Sequence, residues 1–222
     1  MRAMILAAGR GERMMPLTQH MPKPLLLAAG KSLIERIIER LVSAEITEIV
    51  INHAYLGKQI EDTLGDGSKF GATICYSPEG EKGLETAGGI IHALPLLGEK
   101  PFLVVNADIA TDFQFEHLHE KSIDLAHLIL VANPAHHPQG DFHLNPDNTL
   151  CSNESNCLTF SGIGLYSPQL FQQAPKNSTK LAPILREAML KGLVTGEYFE
   201  GLWMDIGTPS RLEILEKHLL SK

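Results

Sequence analysis

The chain has 222 residues, 44% of them hydrophobic and 20% charged, and carries a formal net charge of -7 at pH 7. That length and balance suit one compact globular domain able to bury its own core without a metal or disulfide staple. The acidic balance, with no Lys/Arg cluster interrupting it, argues against a nucleic-acid track or an anionic membrane as partner. Small phosphorylated substrates remain compatible with it, because a few cations placed in a cleft can outweigh the global charge.

In chain order, Ala3–Leu6 is expected to be a short buried strand running into a Gly-rich loop. Ser32 is a good helix N-cap, and Glu35 three residues on completes a capping box. The helix it opens carries Leu33, Ile37, Ile38, Leu41 and Val42 on one face. Glu48–Asn52 is a second expected strand, Gly57–Leu64 a second helix, and Asp66-Gly67 a turn. Thr73–Ser77 follows as a strand and Glu85–Leu94 as a helix. Phe102–Asn106 is nearly all apolar, as a strand covered on both faces should be. Such alternation predicts an α/β fold with a mostly parallel central sheet and helices on both faces.

After about Ala132 the composition turns rich in Asn, Pro, His and Asp. With short strands expected at Asp141–Leu144 and Leu158–Tyr166, residues 133–166 are expected to form a small β-rich insertion. Helical periodicity returns at Leu181–Leu190 and Pro209–Leu220. The three cysteines, Cys75, Cys151 and Cys157, show no C-x-x-C spacing and are expected to be reduced thiols. The apolar start is too short for a signal peptide, and the run Leu125–Ala132 is too short to span a bilayer. A cytoplasmic protein is expected.

Three segments could carry chemistry. The first is Leu6-Ala7-Ala8-Gly9-Arg10-Gly11-Glu12-Arg13, with Pro16-Leu17-Thr18 and Pro22-Lys23-Pro24 behind it. A glycine-bearing loop at the carboxyl end of the first strand of a parallel sheet is where such folds bind ligands, with backbone N–H groups closing on phosphate oxygens. Arg13 and Lys23 would add positive charge, and two prolines stiffen the segment that carries Lys23. No Gly-Lys-Ser/Thr follows, so the loop is not a Walker A motif. Met14 stands where the third glycine of a dinucleotide fingerprint would be, which disfavours an NAD-dependent enzyme. The second segment is Asn106-Ala107-Asp108, at the end of the apolar strand. The third is Trp203-Met204-Asp205-Ile206-Gly207-Thr208-Pro209, a carboxylate just before a helix. Mg²⁺ is usually held by one or two carboxylates, with phosphates and waters completing its octahedron. Asp108 and Asp205 meet that need, although either alone reads more readily as a strand-end or helix-cap residue. The adjacent His136 and His137 are expected on a surface loop pointing apart, and His117 and His119 on a helix surface. Ser161-Gly162 lacks the preceding glycine of a nucleophile elbow.

The string Leu6-Ala7-Ala8-Gly9-x-Gly11-x-Arg13-Met14-x-Pro16-Leu17-Thr18, followed by Pro22-Lys23-Pro24, resembles the sugar-nucleotidyltransferase family. Asp108 and Trp203-x-Asp205-Ile206-Gly207-Thr208 match the same family, so the resemblance covers residues 1–222 as a single domain. The phrases Ile51-Asn52-His53-Ala54, Tyr76-Ser77-Pro78-Glu79-Gly80, Leu84-Glu85-Thr86-Ala87-Gly88-Gly89, Gly140-Asp141-Phe142 and Thr159-Phe160-Ser161-Gly162-Ile163 look like its branch acting on N-acetylmuramate α-1-phosphate in cell-wall recycling. The resemblance implies UTP and a sugar 1-phosphate as substrates and Mg²⁺ as cofactor. It implies that Gly11, Glu12 and Arg13 line the triphosphate and that Lys23 contacts the α-phosphate. Ala8, Gly9 and the Thr86–Gly89 stretch, Gly88 included, would border the nucleotide. Asp108 and Asp205 would hold the metal. Asn106 and Asp141 would face the substrates, and the sugar pocket would lie in a β-rich lobe near Ser161 and Gly162.

Two positions depart from the family pattern. Met15 stands where a cation or polar residue is common, and Glu85 stands where glycine is commoner. The same chemistry on another pair, such as GTP with mannose 1-phosphate, and an inactive sugar-nucleotide-binding relative both remain open, as do a monomer and a small homo-oligomer.

Overall fold

A computed structural model describes residues 1–152, 155–175 and 178–221; residues 153–154 of the expected insertion lie outside these. In chain order the strands and helices are β1 (Arg2–Leu6), β2 (Leu27–Ala28), β3 (Lys31–Ser32), α1 (Leu33–Ser43), β4 (Glu48–His53), α2 (Gly57–Leu64), β5 (Thr73–Pro78) and α3 (Glu85–Leu97). They continue with β6 (Phe102–Asn106), β7 (Ile109–Thr111), β8 (Ala126–Val131), β9 (His143–Leu144), β10 (Leu150–Cys151) and β11 (Thr159–Tyr166). The chain closes with α4 (Pro168–Gln172), α5 (Leu181–Met189), β12 (Val194–Tyr198), β13 (Trp203–Asp205) and α6 (Pro209–Leu220).

Seven strands form the main sheet in the order β12-β8-β11-β6-β1-β4-β5. Neighbours pair in parallel except at β11, which runs against both β6 and β8. The mostly parallel α/β sheet is therefore the one expected. Strand order reverses direction around β1, with β4 and β5 on one side and β6 on the other. A crevice opens at such a switch point, outside the carboxyl ends of the strands.

Alternation along β1 explains the two layers. Ala3 and Ile5 face one hydrophobic cluster with Ile34, Ile37, Ile38 and Leu41 of α1 and Ile60 and Leu64 of α2. Met4 faces the other, with Ala87, Ile90 and Ala93 of α3 and with Leu181, Ile184 and Leu185 of α5. Helices thus cover both faces, and each isoleucine buried this way contributes about 1.5–3 kcal/mol. The capping box forms: Ser32 Oγ accepts from Glu35 N–H at 3.3 Å, and Glu35 Oε2 accepts from Ser32 N–H at 3.1 Å. No helix among the described residues is long and apolar enough to cross a membrane.

In the polar segment 133–166, β9 and β10 pair with each other as a separate two-stranded sheet. Thr159–Tyr166 instead enters the main sheet as β11, because every residue from Ser161 to Tyr166 lies in the interior. The apolar run at 125–132 is the adjoining strand β8, buried along its whole length.

The edge strand β12 is clamped to β8 by charge. The buried His127 ring meets Thr195 Oγ1 through Nδ1 at 2.8 Å and Glu197 Oε2 through Nε2 at 3.2 Å, and Lys121 Nζ reaches the same oxygen at 3.0 Å. The His127 hydrogen bond, against the cost of burial and aided by Lys121, pulls the Glu197 carboxyl down to about 2. A carboxyl depressed from 4.5 stabilises the fold above that value, and its contribution fades as the pH falls toward 2. Denaturation followed from about pH 6 down to about pH 2 should show a shallower acid-side loss of stability in Glu197→Gln than in wild type. Equal slopes would contradict this role.

Candidate active site

The Gly-rich loop leaves β1 at the switch point and folds back on itself. Gly11 has φ 68°, the left-handed region open to glycine, and its carbonyl accepts from Met14 N–H at 2.9 Å and from Thr18 Oγ1 at 2.8 Å. A Cβ on Gly11 would stand 3.0 Å from Lys23 Cβ and 3.0 Å from Thr18 Cγ2. The motif's spacing thus has a packing cause: the second glycine is the surface on which the Lys23 stem lies. Pro22 and Pro24 flank Lys23 at the start of a short 3-10 turn, Lys23–Leu25, and the lysine is only 8% exposed. Its ammonium is spent on one partner, the Asp108 carboxylate, with which it forms an ion pair.

Asp108 follows β6, and backbone bonds tie it to the third segment. Ile206 N–H donates to Asp108 C=O at 2.7 Å, and β13 pairs antiparallel with β7 so that Asp205 opposes Ile109. Asp205, the last residue of β13, therefore lies beside the turn that carries Asp108 into β7, although the two aspartates are about a hundred residues apart in sequence. Trp203 braces β13 from behind by donating Nε1–H to Ser161 C=O at 2.8 Å.

Above the ends of β1, β4 and β6 lies a cavity of ≈ 500 Å³. Of the expected site residues, Ala8, Gly9, Lys23, Thr86, Asn106 and Asp108 line it. A Cβ on Gly9 would meet nothing within 4 Å, so the loop backbone there is open to a ligand. Arg13 lies apart, beside Asp205: a Cβ on Gly207 would stand 3.1 Å from Arg13 Nη2 and 3.2 Å from Asp205 Oδ2. Glu12 is exposed on the same 3-10 turn as Arg13. Gly88 faces Thr179, whose carbonyl accepts its N–H at 3.2 Å, and does not line the cavity.

Three expected substrate-side residues stand elsewhere or act through their neighbours. Asp141 Oδ2 accepts from Phe160 N–H at 2.8 Å, and its Oδ1 lies 3.1 Å from His137 Nε2, so the carboxylate fastens the polar segment to β11. Ser161 is 1% exposed, with its hydroxyl turned to Ile163 N–H at 3.2 Å. Gly162 has φ 80° at the irregularity in β11, and a Cβ there would lie 2.4 Å from Asn106 Nδ2. Its absence of a side chain is what lets the Asn106 amide lie at the cavity wall.

Several residues at the site were not singled out from the sequence as site residues. Asn52 is 2% exposed; its Oδ1 accepts from Ala7 N–H at 2.9 Å, and its Nδ2 donates to Glu79 Oε1 at 2.6 Å. Glu79 Oε2 takes Leu84 N–H at 2.6 Å, so this pair links the ends of β1, β4 and β5 to the loop before α3. Arg10 lies 5.3 Å over the Tyr55 ring, and both line the cavity together with Lys82 and Glu85. Glu85 holds φ 60°, which explains why glycine suits that position. His136 and His137 do lie in a turn and diverge, as expected, but each meets a carboxylate. His136 Nε2 is 3.1 Å from Asp205 Oδ1, and His137 pairs with Asp141. Arg211, in the first turn of α6, forms an ion pair with Asp205. Phrases such as Tyr76-Ser77-Pro78-Glu79-Gly80 held a signal for Glu79; nothing local marked Arg211.

The carboxylate pair suits a hard cation. Among the described residues no group of three or more His, Cys, Asp or Glu converges to hold a metal, so a metal here would take two carboxylates and draw its other ligands from phosphate and water, as Mg²⁺ does. Both aspartates are only partly buried, 33% and 25% exposed in their side chains, and each is now neutralised by a protein cation.

The family model for nucleotidyl transferases matches residues 2–142, which contain the Gly-rich loop, Lys23 and Asp108. The chain belongs to the nucleotidyl transferase family. Over 221 residues, covering 96% of both chains, this nucleotidyl transferase is 56% identical to the N-acetylmuramate alpha-1-phosphate uridylyltransferase of Neisseria meningitidis serogroup B. It is 33% identical to the protein of the same name from Caulobacter vibrioides, over 93% of this chain and 92% of that one. A crystal structure of a putative glucose-1-phosphate thymidylyltransferase from Bacillus anthracis superposes with a TM-score of 0.85, covering 98% of this chain and 94% of that one at 22% identity. That likeness establishes a shared nucleotidyl transferase fold.

Proposed function

We propose that this chain transfers the uridylyl group of UTP to N-acetylmuramate α-1-phosphate, giving the UDP-sugar and pyrophosphate, as a cytoplasmic, Mg²⁺-dependent step of cell-wall recycling. The match that carries this reading is the 56% identity, spread over 96% of both chains, to a relative bearing that activity in its name. The cavity over β1, β4 and β6, with Lys23 and Asp108 in its wall, supports it.

In the reaction, a phosphate oxygen of the sugar 1-phosphate attacks the α-phosphorus of UTP in line. A new P–O bond forms, the bond from the α-phosphorus to the bridging oxygen breaks, and pyrophosphate leaves with that electron pair. No side-chain nucleophile is required. The protein's work is to align the two phosphates and to meet the growing charge. Lys23, held rigid by its prolines and by Gly11, turns from Asp108 to the α-phosphate. Arg13 takes the outer phosphates, and Ala8, Gly9 and Thr86 border the base. Gly11 and Glu12 shape the loop around the triphosphate, while Gly88 sets the path of α3 behind it. Asn106, propped by Gly162, meets the sugar phosphate, and Asp141 and Ser161 hold the sugar side in place through the backbone of β11. When bound at Asp108 and Asp205, Mg²⁺ supplies charge neutralisation and orients the phosphates.

The reading is tested by crossing UTP, GTP, CTP and dTTP with the 1-phosphates of N-acetylmuramate, N-acetylglucosamine, glucose and mannose, and following pyrophosphate release. UTP with N-acetylmuramate α-1-phosphate should give the fastest turnover, and EDTA should abolish it. A best rate with GTP and mannose 1-phosphate would overturn the substrate assignment. Nucleotide binding without turnover on any pair would make the chain a silent binder.

A further inference from the structure

Asp205 is surrounded by more positive charge than one carboxylate needs. Arg211 Nη1 forms an ion pair with Asp205 Oδ2 and also donates to the Asp205 carbonyl at 3.2 Å. His136 Nε2 approaches the other carboxylate oxygen at 3.1 Å and Arg211 Nη1 at 3.0 Å. The guanidinium of Arg13 comes in from the Gly-rich loop: Arg13 Nη2 and Arg211 Nη2 lie 3.1 and 2.9 Å from one point, the place a Cβ would occupy on Gly207. Two guanidinium groups therefore converge over Gly207, which has no side chain to separate them, and of the two it is Arg211 that pairs with the carboxylate. Like charges at this range repel, and an added anion would relieve them.

Arg211 is well placed to hold this position. Its side chain is 17% exposed. Its Nε is steered by the helix N-cap, Thr208 Oγ1, at 3.3 Å, and Thr208 Oγ1 also accepts Arg211 N–H at 3.4 Å. The guanidinium is thus anchored at its inner end, while its outer nitrogens reach the carboxylate.

We propose that Arg211 is a built-in stand-in for the metal at Asp205, displaced when metal and triphosphate arrive together and then shared with Arg13 on the phosphates. A divalent cation approaching Asp205 alone must break the Arg211 pair and leave two arginines facing it. Arriving with a polyphosphate, it brings the anion that both arginines need. The enzyme therefore binds free metal poorly and takes the metal with the nucleotide. This rests on the proposed metal role of Asp205.

The test uses the full chain and Mn²⁺ as the probe, titrated by calorimetry without nucleotide, and then UTP titrated at saturating Mn²⁺. Arg211→Gln should bind free Mn²⁺ about tenfold more tightly than wild type, the effect of removing one charge-assisted partner. The same variant should bind UTP with Mn²⁺ at least about fivefold more weakly, having lost one phosphate contact. Arg211→Lys, which keeps the charge, should return free-metal affinity toward wild type; melting temperatures of both variants report folding. Unchanged or weaker Mn²⁺ binding by R211Q, or unchanged UTP binding, overturns the proposal, as does R211K matching R211Q in a folded protein. Asp205→Asn separates the two levels: if it binds Mn²⁺–UTP as wild type does, the metal assignment fails whatever Arg211 does.

Discussion

Asp108→Asn and Asp205→Asn are each expected to lower kcat by about 10²–10³-fold while leaving the fold intact. Asparagine keeps the shape of the side chain, and its amide oxygen can still accept from Lys23 or Arg211, whose pairs with these carboxylates now occupy the site. What is lost is a formal negative charge, and with it the hard anionic ligand that Mg²⁺ requires. Removing Asp108 altogether would mix two effects, because Lys23, 8% exposed, would be left without its counter-ion. Steady-state rates across a range of Mg²⁺ concentrations separate the outcomes. Partial recovery at high metal fits a weakened ligand. Rates within threefold of wild type at low metal, roughly 0.6 kcal/mol in the barrier, would remove both aspartates from the reaction.

Lys23→Met should be as damaging, lowering kcat/KM by about 10²–10³-fold. Methionine preserves the apolar stem that lies against Gly11, so the loop keeps its path while the ammonium disappears. Lys23→Arg should not rescue it. A guanidinium is planar and bulkier than an ammonium, and the stem lies where even a Cβ on Gly11 would approach it to 3.0 Å. If K23R restored near-normal turnover, the demand would be for any positive charge in the cavity, and the rigid setting between Pro22 and Pro24 would have no function.

Much of this arrangement could be read from local sequence, and the reason differs from element to element. β1, β4 and β6 are apolar runs with turn signals at their ends, and α1 announces itself by Ser32, Glu35 and a 3.6-residue stripe. Lys23 and Asp108 stood out because each sits at a structural boundary that leaves a charge nowhere ordinary to go. β12 and β13 were not foreseen. The first carries Gly196, which lets Leu150 and the Leu128 carbonyl approach within about 3 Å of where its Cβ would be. The second has three residues and exists only by pairing with β7. The polar stretch before β11 drew the edge of the insertion out to Tyr166, although Thr159–Tyr166 belongs to the main sheet. Arg211 and His136 escaped for a deeper reason. Their meeting at Asp205 spans 75 residues, and no periodicity along one helix or turn encodes which distant segment will face it.

The central claim is that Asp108 and Asp205 clasp one metal whose phosphates are met by Lys23 and Arg13. It is tested most directly by diffraction from crystals grown with Mn²⁺ and a non-hydrolysable UTP analogue, recorded at the manganese absorption edge. One anomalous peak should appear within coordination distance of both aspartates, about 2.0–2.2 Å for a magnesium-like site, with the Lys23 ammonium turned onto the α-phosphate. A peak bound elsewhere, or a nucleotide seated with Lys23 still paired to Asp108, would contradict it.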